Sequence, residues 1–297
     1  MTIYSQITGN RIKTYLIIFF FIVFMSFFFF IIGKYTGNSS TYFLIGIIFS
    51  LVTSLGSYFY SDKLVLAMSG AKPADKKQYF DFYTVSENLS IAAGLPIPKL
   101  YIIEDVAMNA FATGRNPKHA VIAATSGLLQ KLSRTELEGV ISHELSHVKN
   151  YDILVSTIVA VLVGTVVFAA DWITRSMFWG GFRDRDNNRG NAITTILFIL
   201  TLVLMPIAAT LIQLAVSRKR ELLADASGAL LTRNPDELAN ALIKISGDHQ
   251  PLAHASGATA HLYISNPLKK TKQSSMLINL FSTHPPITER VRLLREM

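Results

Sequence analysis

The chain has 297 residues, 50% of them apolar against 16% charged, with a net charge of +8 and no cysteine. Such a composition excludes an ordinary soluble domain, a disulfide framework and a thiolate metal site, so any metal must be held by His and carboxylate. The basic excess flanks apolar blocks; it is read as attraction to anionic lipid and a bias on orientation, and no nucleic-acid partner is expected.

Four apolar runs are long enough to cross a bilayer: Tyr15 to Ile32, Tyr42 to Tyr60, Ile153 to Ala170 and Ala192 to Val216. The first holds Ser26 as its small polar member, and as a helix it spans ~27 Å, close to the hydrocarbon thickness. Arg11 and Lys13 precede it, but the run is too long for a signal peptide, and Ile31-Ile32-Gly33-Lys34 lacks a small-x-small cleavage pattern. A retained anchor is expected. In the fourth run Pro206 should bend the helix without ending it. The Phe residues at 27–30 are expected to face lipid. With the N-terminus in the cytoplasm, the inner segments 1–14, 61–152 and 217–297 hold most of the 28 Lys and Arg residues. That favours a cytoplasmic catalytic part, although the four arginines of the 171–191 loop pull weakly the other way.

Between the runs, residues 78–93 read as a helix stopped by Gly94 and Pro96. From Lys99 to Thr125, short β-forming runs alternate with turn residues and predict a small sheet. Ser133-Arg-Thr-Glu136 is a capping box that opens a helix. Asn234-Pro235 opens another, with Asn as cap and Pro in its first position. The stretch 246–281 reads mainly as loop.

The helix behind the capping box carries His143-Glu144-Leu-Ser-His147. Two His four apart on a helix lie about 40° apart in rotation and ~6 Å apart in rise, so both imidazoles can reach one cation. Glu144 leans over the open side of such a site, where it can take a proton from water. A third ligand must come from elsewhere, and the candidate is Glu221, in Ser217-Arg-Lys-Arg-Glu221-Leu-Leu-Ala-Asp225. Glu221 and Asp225 share a helix face, so one can bind metal while the other accepts the second ring N–H of a ligand His. Runs three and four would form a hairpin through the bilayer. It returns Glu221 to the side that holds His143 and His147. His119, His249, His254 and His261 lack such pairing and read as polar surface or loop groups.

Here the chain resembles the HtpX-type membrane zinc peptidases, which are related more distantly to the peptidases that trim prenylated proteins. The resemblance covers most of residues 80–297 and rests on four motifs in order. They are Asn109-Ala-Phe-Ala-Thr-Gly114, His143-Glu-Leu-Ser-His147-Val-Lys-Asn150-Tyr-Asp152, Ser217-Arg218-x-x-Glu221-x-x-Ala224-Asp225 and Thr283-His284-Pro-Pro-x-x-x-Arg290. It implies that His143, His147 and Glu221 bind one Zn2+ per chain, that Glu144 is the general base and that Asp225 supports a ligand His. Glu144 would take a proton from the attacking water and return it to the leaving amine. His284 or Arg290 would stabilise the oxyanion, Arg290 alternatively pairing a carboxylate such as Asp225. Asn109, Ala110 and Phe111 resemble the edge strand on which such peptidases lay an extended substrate.

The expected fold class is an α-helical integral membrane protein with four transmembrane helices and an α+β, mostly helical zincin-like catalytic domain. In domains, 1–60 is an anchor, 61–152 the first part of the catalytic domain, 153–216 a transmembrane hairpin and 217–297 the second part. The expected function is a multi-pass zinc endopeptidase of the cell membrane acting on protein substrates, above all misfolded or damaged membrane proteins. A processing peptidase for lipidated substrates and a zinc-stabilised scaffold are the alternatives. Transport is disfavoured because the four runs lack internal charged residues and His.

Overall fold

A computed structural model describes residues 3–178, 217–267 and 285–297. Two long apolar helices open the chain, α1 (Ile3–Thr36) and α2 (Ser39–Met68), and both are long and apolar enough to cross a membrane. They contain the expected runs at 15–32 and 42–60 but extend well past them. A 34-residue helix is ~51 Å long, more than the ~30 Å of hydrocarbon, so its ends reach into the water layer. There α2 does structural work: Val65 and Leu66 are buried in a cluster with Phe111, Val121 and Tyr263 of the catalytic part. The faces of α1 and α2 that carry Phe19, Phe20, Phe27, Leu44 and Val52 are exposed, as lipid contact requires. Phe28 is instead buried against a later helix, because only one side of a packed helix can face lipid.

A four-stranded sheet follows, formed by β1 (Lys72–Pro73), β2 (Lys99–Ile103), β3 (Ala110–Thr113) and β4 (Val121–Thr125) in the order β1-β2-β4-β3. β2 and β4 are parallel, with Leu100 opposite Ile122, while β3 runs antiparallel to β4 with Phe111 opposite Ala123. β3 is thus an edge strand. Helix α3 (Phe80–Ala93) and the short α4 (Ser126–Lys131) flank the sheet.

Helix α5 (Arg134–Lys149) is the centre of the catalytic part, with eleven of its sixteen residues buried. The predicted capping box is formed: Ser133 Oγ accepts from the Glu136 N–H at 3.2 Å, and Glu136 Oε2 accepts from the Ser133 N–H at 2.7 Å. α5 is packed between α3, α7 (Arg218–Thr232) and α8 (Pro235–Gly247). Two glycines permit the approach. A Cβ on Gly139 would lie 2.8 Å from Leu238 Cα of α8, and one on Gly228 of α7 would lie 3.0 Å from the His143 backbone nitrogen. Asn234 sits at the start of α8 without a capping side-chain bond, so Pro235 is what marks that end.

After α5 the chain turns through 84° into α6 (Asp152–Phe178), with Tyr151 in the left-handed region at φ 59°. Val155 to Val166 of α6 share a buried cluster with Ile17 to Phe28 of α1. The expected third run, 153–170, falls on α6, which passes as a span only when joined across this bend to α5; the fourth, 192–216, lies outside the described residues. The described architecture is therefore mostly helical, with two candidate spans and a small sheet. Helix α9 (Ile287–Arg295) closes the described chain against α7 and α8.

Candidate metal centre

His143 and His147 lie on successive turns of α5, and Glu221 projects from the first turn of α7. The two Nε2 atoms are 3.2 Å apart; Glu221 Oε2 is 3.8 Å from His143 Nε2, and Oε1 is 3.5 Å from His147 Nε2. Tetrahedral donors about 2.0–2.1 Å from a zinc ion would be separated by about 3.3 Å. The three donors fit that spacing, and their ligand atoms all lie within 4.8 Å of one another.

The far side of each ring explains why both Nε2 lone pairs face inward. His143 Nδ1 donates to Asp225 Oδ1 at 2.9 Å, and His147 Nδ1 donates to Asp152 Oδ2 at 3.1 Å. A carboxylate on Nδ1 fixes the tautomer and leaves Nε2 as a donor to metal. Two imidazole lone pairs aimed at each other across 3.2 Å are repulsive unless a proton or cation lies between them, and here a carboxylate completes the third side. The donor set therefore suits a divalent cation that accepts nitrogen and oxygen.

Arg290, fully buried on α9, holds Asp225 with two bonds, Nε to Oδ2 at 2.7 Å and Nη2 to Oδ1 at 2.6 Å, while its Nη1 donates to the Ile264 carbonyl. Its donors are thus spent inside the protein. Burial opposes ionisation of Asp225, but the adjacent guanidinium and the His143 N–H hold its carboxyl well below the usual range. Burial pushes the Glu144 carboxyl up, against the two histidines beside it. Burial works against protonation of His147 in the metal-free site, yet Asp152 and Glu221 prevail and raise its pKa to about 9.

A cavity of about 30 Å³, room for one or two waters, is lined by Glu144, His147, Glu221, Ala112, Arg220 and His261. The Ala112 N–H bonds the Glu144 carboxyl, so the edge strand adjoins Glu144. Residues 264–265 already run beside the start of β3: the Ile264 N–H donates to the Ala110 carbonyl at 3.0 Å, and Asn109 Nδ2 donates to the Ser265 carbonyl at 2.9 Å. The Phe111 ring is buried and stacks edge-on against Tyr263. His284 lies outside the described residues.

Some residues at the site had no signal in local sequence. Asp152 stood in a motif without a role, and Arg220 stood unassigned in the basic run before Glu221. His119, His249 and His254 are exposed as expected, but His261 is buried, its Nε2 donating to the Ser156 carbonyl at 3.1 Å. Only the folded return of residues 258–264 onto α6 reveals this.

Residues 80–297 match Peptidase family M48. The chain belongs to that family. It is 48% identical to the Protease HtpX homolog of Tropheryma whipplei (strain Twist), over 99% of this chain and 98% of the relative. It is 43% identical to the Protease HtpX homolog of Dictyoglomus turgidum, over 100% and 95% of the two chains. The crystal structure of S. mikatae Ste24p aligns with a TM-score of 0.48 at 17% identity, over 98% of this chain and 67% of that one. The resemblance read from the four motifs thus holds. The M48 chain is a membrane-associated metalloprotease, a hydrolase of protein or peptide substrates, and its His143, His147 and Glu221 are positioned to bind a metal ion.

Proposed function

We propose that this M48 chain is a zinc-dependent endopeptidase of the cell membrane whose catalytic part faces the cytoplasm and which clears misfolded or damaged membrane proteins. The convergence of His143 Nε2, His147 Nε2 and Glu221 around one point, with Glu144 beside it, carries the reading. His143, His147 and Glu221 would hold the zinc, which when bound would acidify a water and polarise the scissile carbonyl. Glu144, its proton affinity raised by burial, takes a proton from the attacking water and gives it to the leaving amine. Asp225 and Asp152 keep the two Nδ1 protons in place, and Arg290 keeps Asp225 ionised.

An extended peptide would lie along the outer edge of β3 at Ala112, next to Glu144, continuing the edge that residues 264–265 occupy at Asn109 and Ala110. His284, just before Pro285 and α9, is assigned as the oxyanion donor. Four crossings, with the run at 192–216 completing the hairpin begun by α6, would return α7 to the side of α5. The site lies where α1 and α6 begin, which suits substrates presented at the membrane surface.

The test is metal content and cleavage of casein by the detergent-purified chain. About one zinc per chain and cleavage abolished by chelator support the reading; cleavage unaffected by full zinc removal would falsify it.

A further inference from the structure

The first long apolar helix carries none of the four motifs, yet it reaches the metal centre. Asn10, near the start of α1, is 4% exposed. Its Nδ2 donates to Asp152 Oδ1 at 2.8 Å and to the Asn150 carbonyl at 2.9 Å, and its Oδ1 accepts from Arg220 Nη1 at 3.2 Å. These partners come from the α5–α6 bend and from α7, 140 to 210 residues away in the chain. The same Asp152 holds His147 through its other oxygen, Oδ2. The adjacent Arg11 stacks its guanidinium 4.8 Å over the ring of Tyr151, the residue whose left-handed backbone makes the bend. Two neighbouring side chains of α1 therefore grip all three residues of the turn that supplies Asp152.

We infer that Asn10 is a positioning residue of the metal site: it fixes the Asp152 carboxylate, through which His147 is held with Nε2 toward the cation. Asp152 left with His147 and the longer 3.4 Å contact to Arg220 would be free to rotate and to take water. His147 would then lose its fixed tautomer. Partners of this kind typically change metal affinity 10- to 100-fold when removed. The consequence is that the anchor and the catalytic part are not separable modules.

This rests on the metal reading above, and the test separates the two. The full-length chain in detergent is loaded with Zn2+, and its affinity is measured by chelator competition, alongside the visible spectrum of the Co2+-loaded form. Asn10→Leu, close to the same size, is expected to weaken affinity about 10- to 100-fold and to shift the cobalt bands. Thr14→Val, one turn along α1 and equally buried, removes a hydroxyl bond to the Asn10 backbone carbonyl but leaves the Asn10 side chain and its partners in place, and should bind as wild type does. Should Asn10→Leu fail to fold, Asn10→Asp retains shape and an acceptor for Arg220 while removing both donations, and the same loss is expected. Wild-type affinity and spectrum in a folded Asn10→Leu or Asn10→Asp, or an equal loss in Thr14→Val, overturns the inference alone. A wild-type chain that takes up no metal overturns the metal reading and this inference with it.

Discussion

Glu144 and Glu221 are both buried carboxylates within the same site, but their neighbours divide their work. Glu221 faces two ring nitrogens at 3.5 and 3.8 Å, whereas Glu144 bonds the backbone of the edge strand and lines the cavity. Glu144→Gln should therefore keep its zinc and lose about 10²- to 10⁴-fold in cleavage rate, the range for a lost proton acceptor; wild-type turnover would refute that role. Glu221→Ala should emerge from dialysis without metal, and full occupancy would remove Glu221 from the ligand set. The proton on His147 adds a pH dependence. Its metal-free pKa, raised from 6.5 to about 9, means that proton binding stabilises the metal-free fold, fully below pH 6.5 and no longer as pH passes about 9. Metal uptake must displace that proton, so zinc affinity should rise about tenfold per pH unit from about 7 to 9 and then level off. Calorimetry in buffers of different ionisation heat should count about one proton released near pH 7; an affinity flat over this range would sink the assignment.

At the scale of helices, the site exists because α5 and α7 approach closely at Gly228. A Cβ there would meet Ser142 Oγ at 2.9 Å and the His143 backbone nitrogen at 3.0 Å, and the latter cannot yield without moving the helix. Gly228→Ala should cost about 1–3 kcal/mol by overpacking and weaken zinc binding by pushing Glu221 and Asp225 away from α5. A melting temperature and zinc affinity equal to wild type would show that the contact is slack. These helices also mark what local sequence can express. The capping box at Ser133, the i,i+4 histidines and the Glu221–Asp225 face are short-range patterns, and each is legible in the sequence alone. The sheet was legible from its β-forming runs, but β1 was not, since two residues, Lys72 and Pro73, cannot show an alternating pattern. The Arg290–Asp225 pair was one of two readings its motif left open, whereas the Asn10–Asp152 bond and the burial of His261 join residues far apart in the chain. No period or motif encodes such meetings.

Across the whole molecule, the catalytic part is gathered at one end of the α1–α2 pair. Asn10, near the start of α1, bonds the α5–α6 bend, and Phe59, Val65 and Leu66, toward the end of α2, contact the sheet region. The Gly37–Asn38 turn lies at the opposite end, where Gly33 packs against Ser39 and Tyr42. A helical hairpin crossing a bilayer must therefore put residue 40 on one side and the sheet on the other, whichever way it is inserted. In the orientation proposed above, Arg11 and Lys13 at the catalytic end lie in the cytoplasm, the side that basic residues close to a span favour. The cysteine-free sequence makes this directly measurable, since any introduced thiol is unique. Ser40→Cys and Lys118→Cys both replace exposed side chains that are not among the metal ligands. A membrane-impermeant maleimide added to intact cells should label Ser40→Cys at once and Lys118→Cys only after lysis. The reverse pattern would place the catalytic part outside, and labelling of both would mean that the helix pair does not cross.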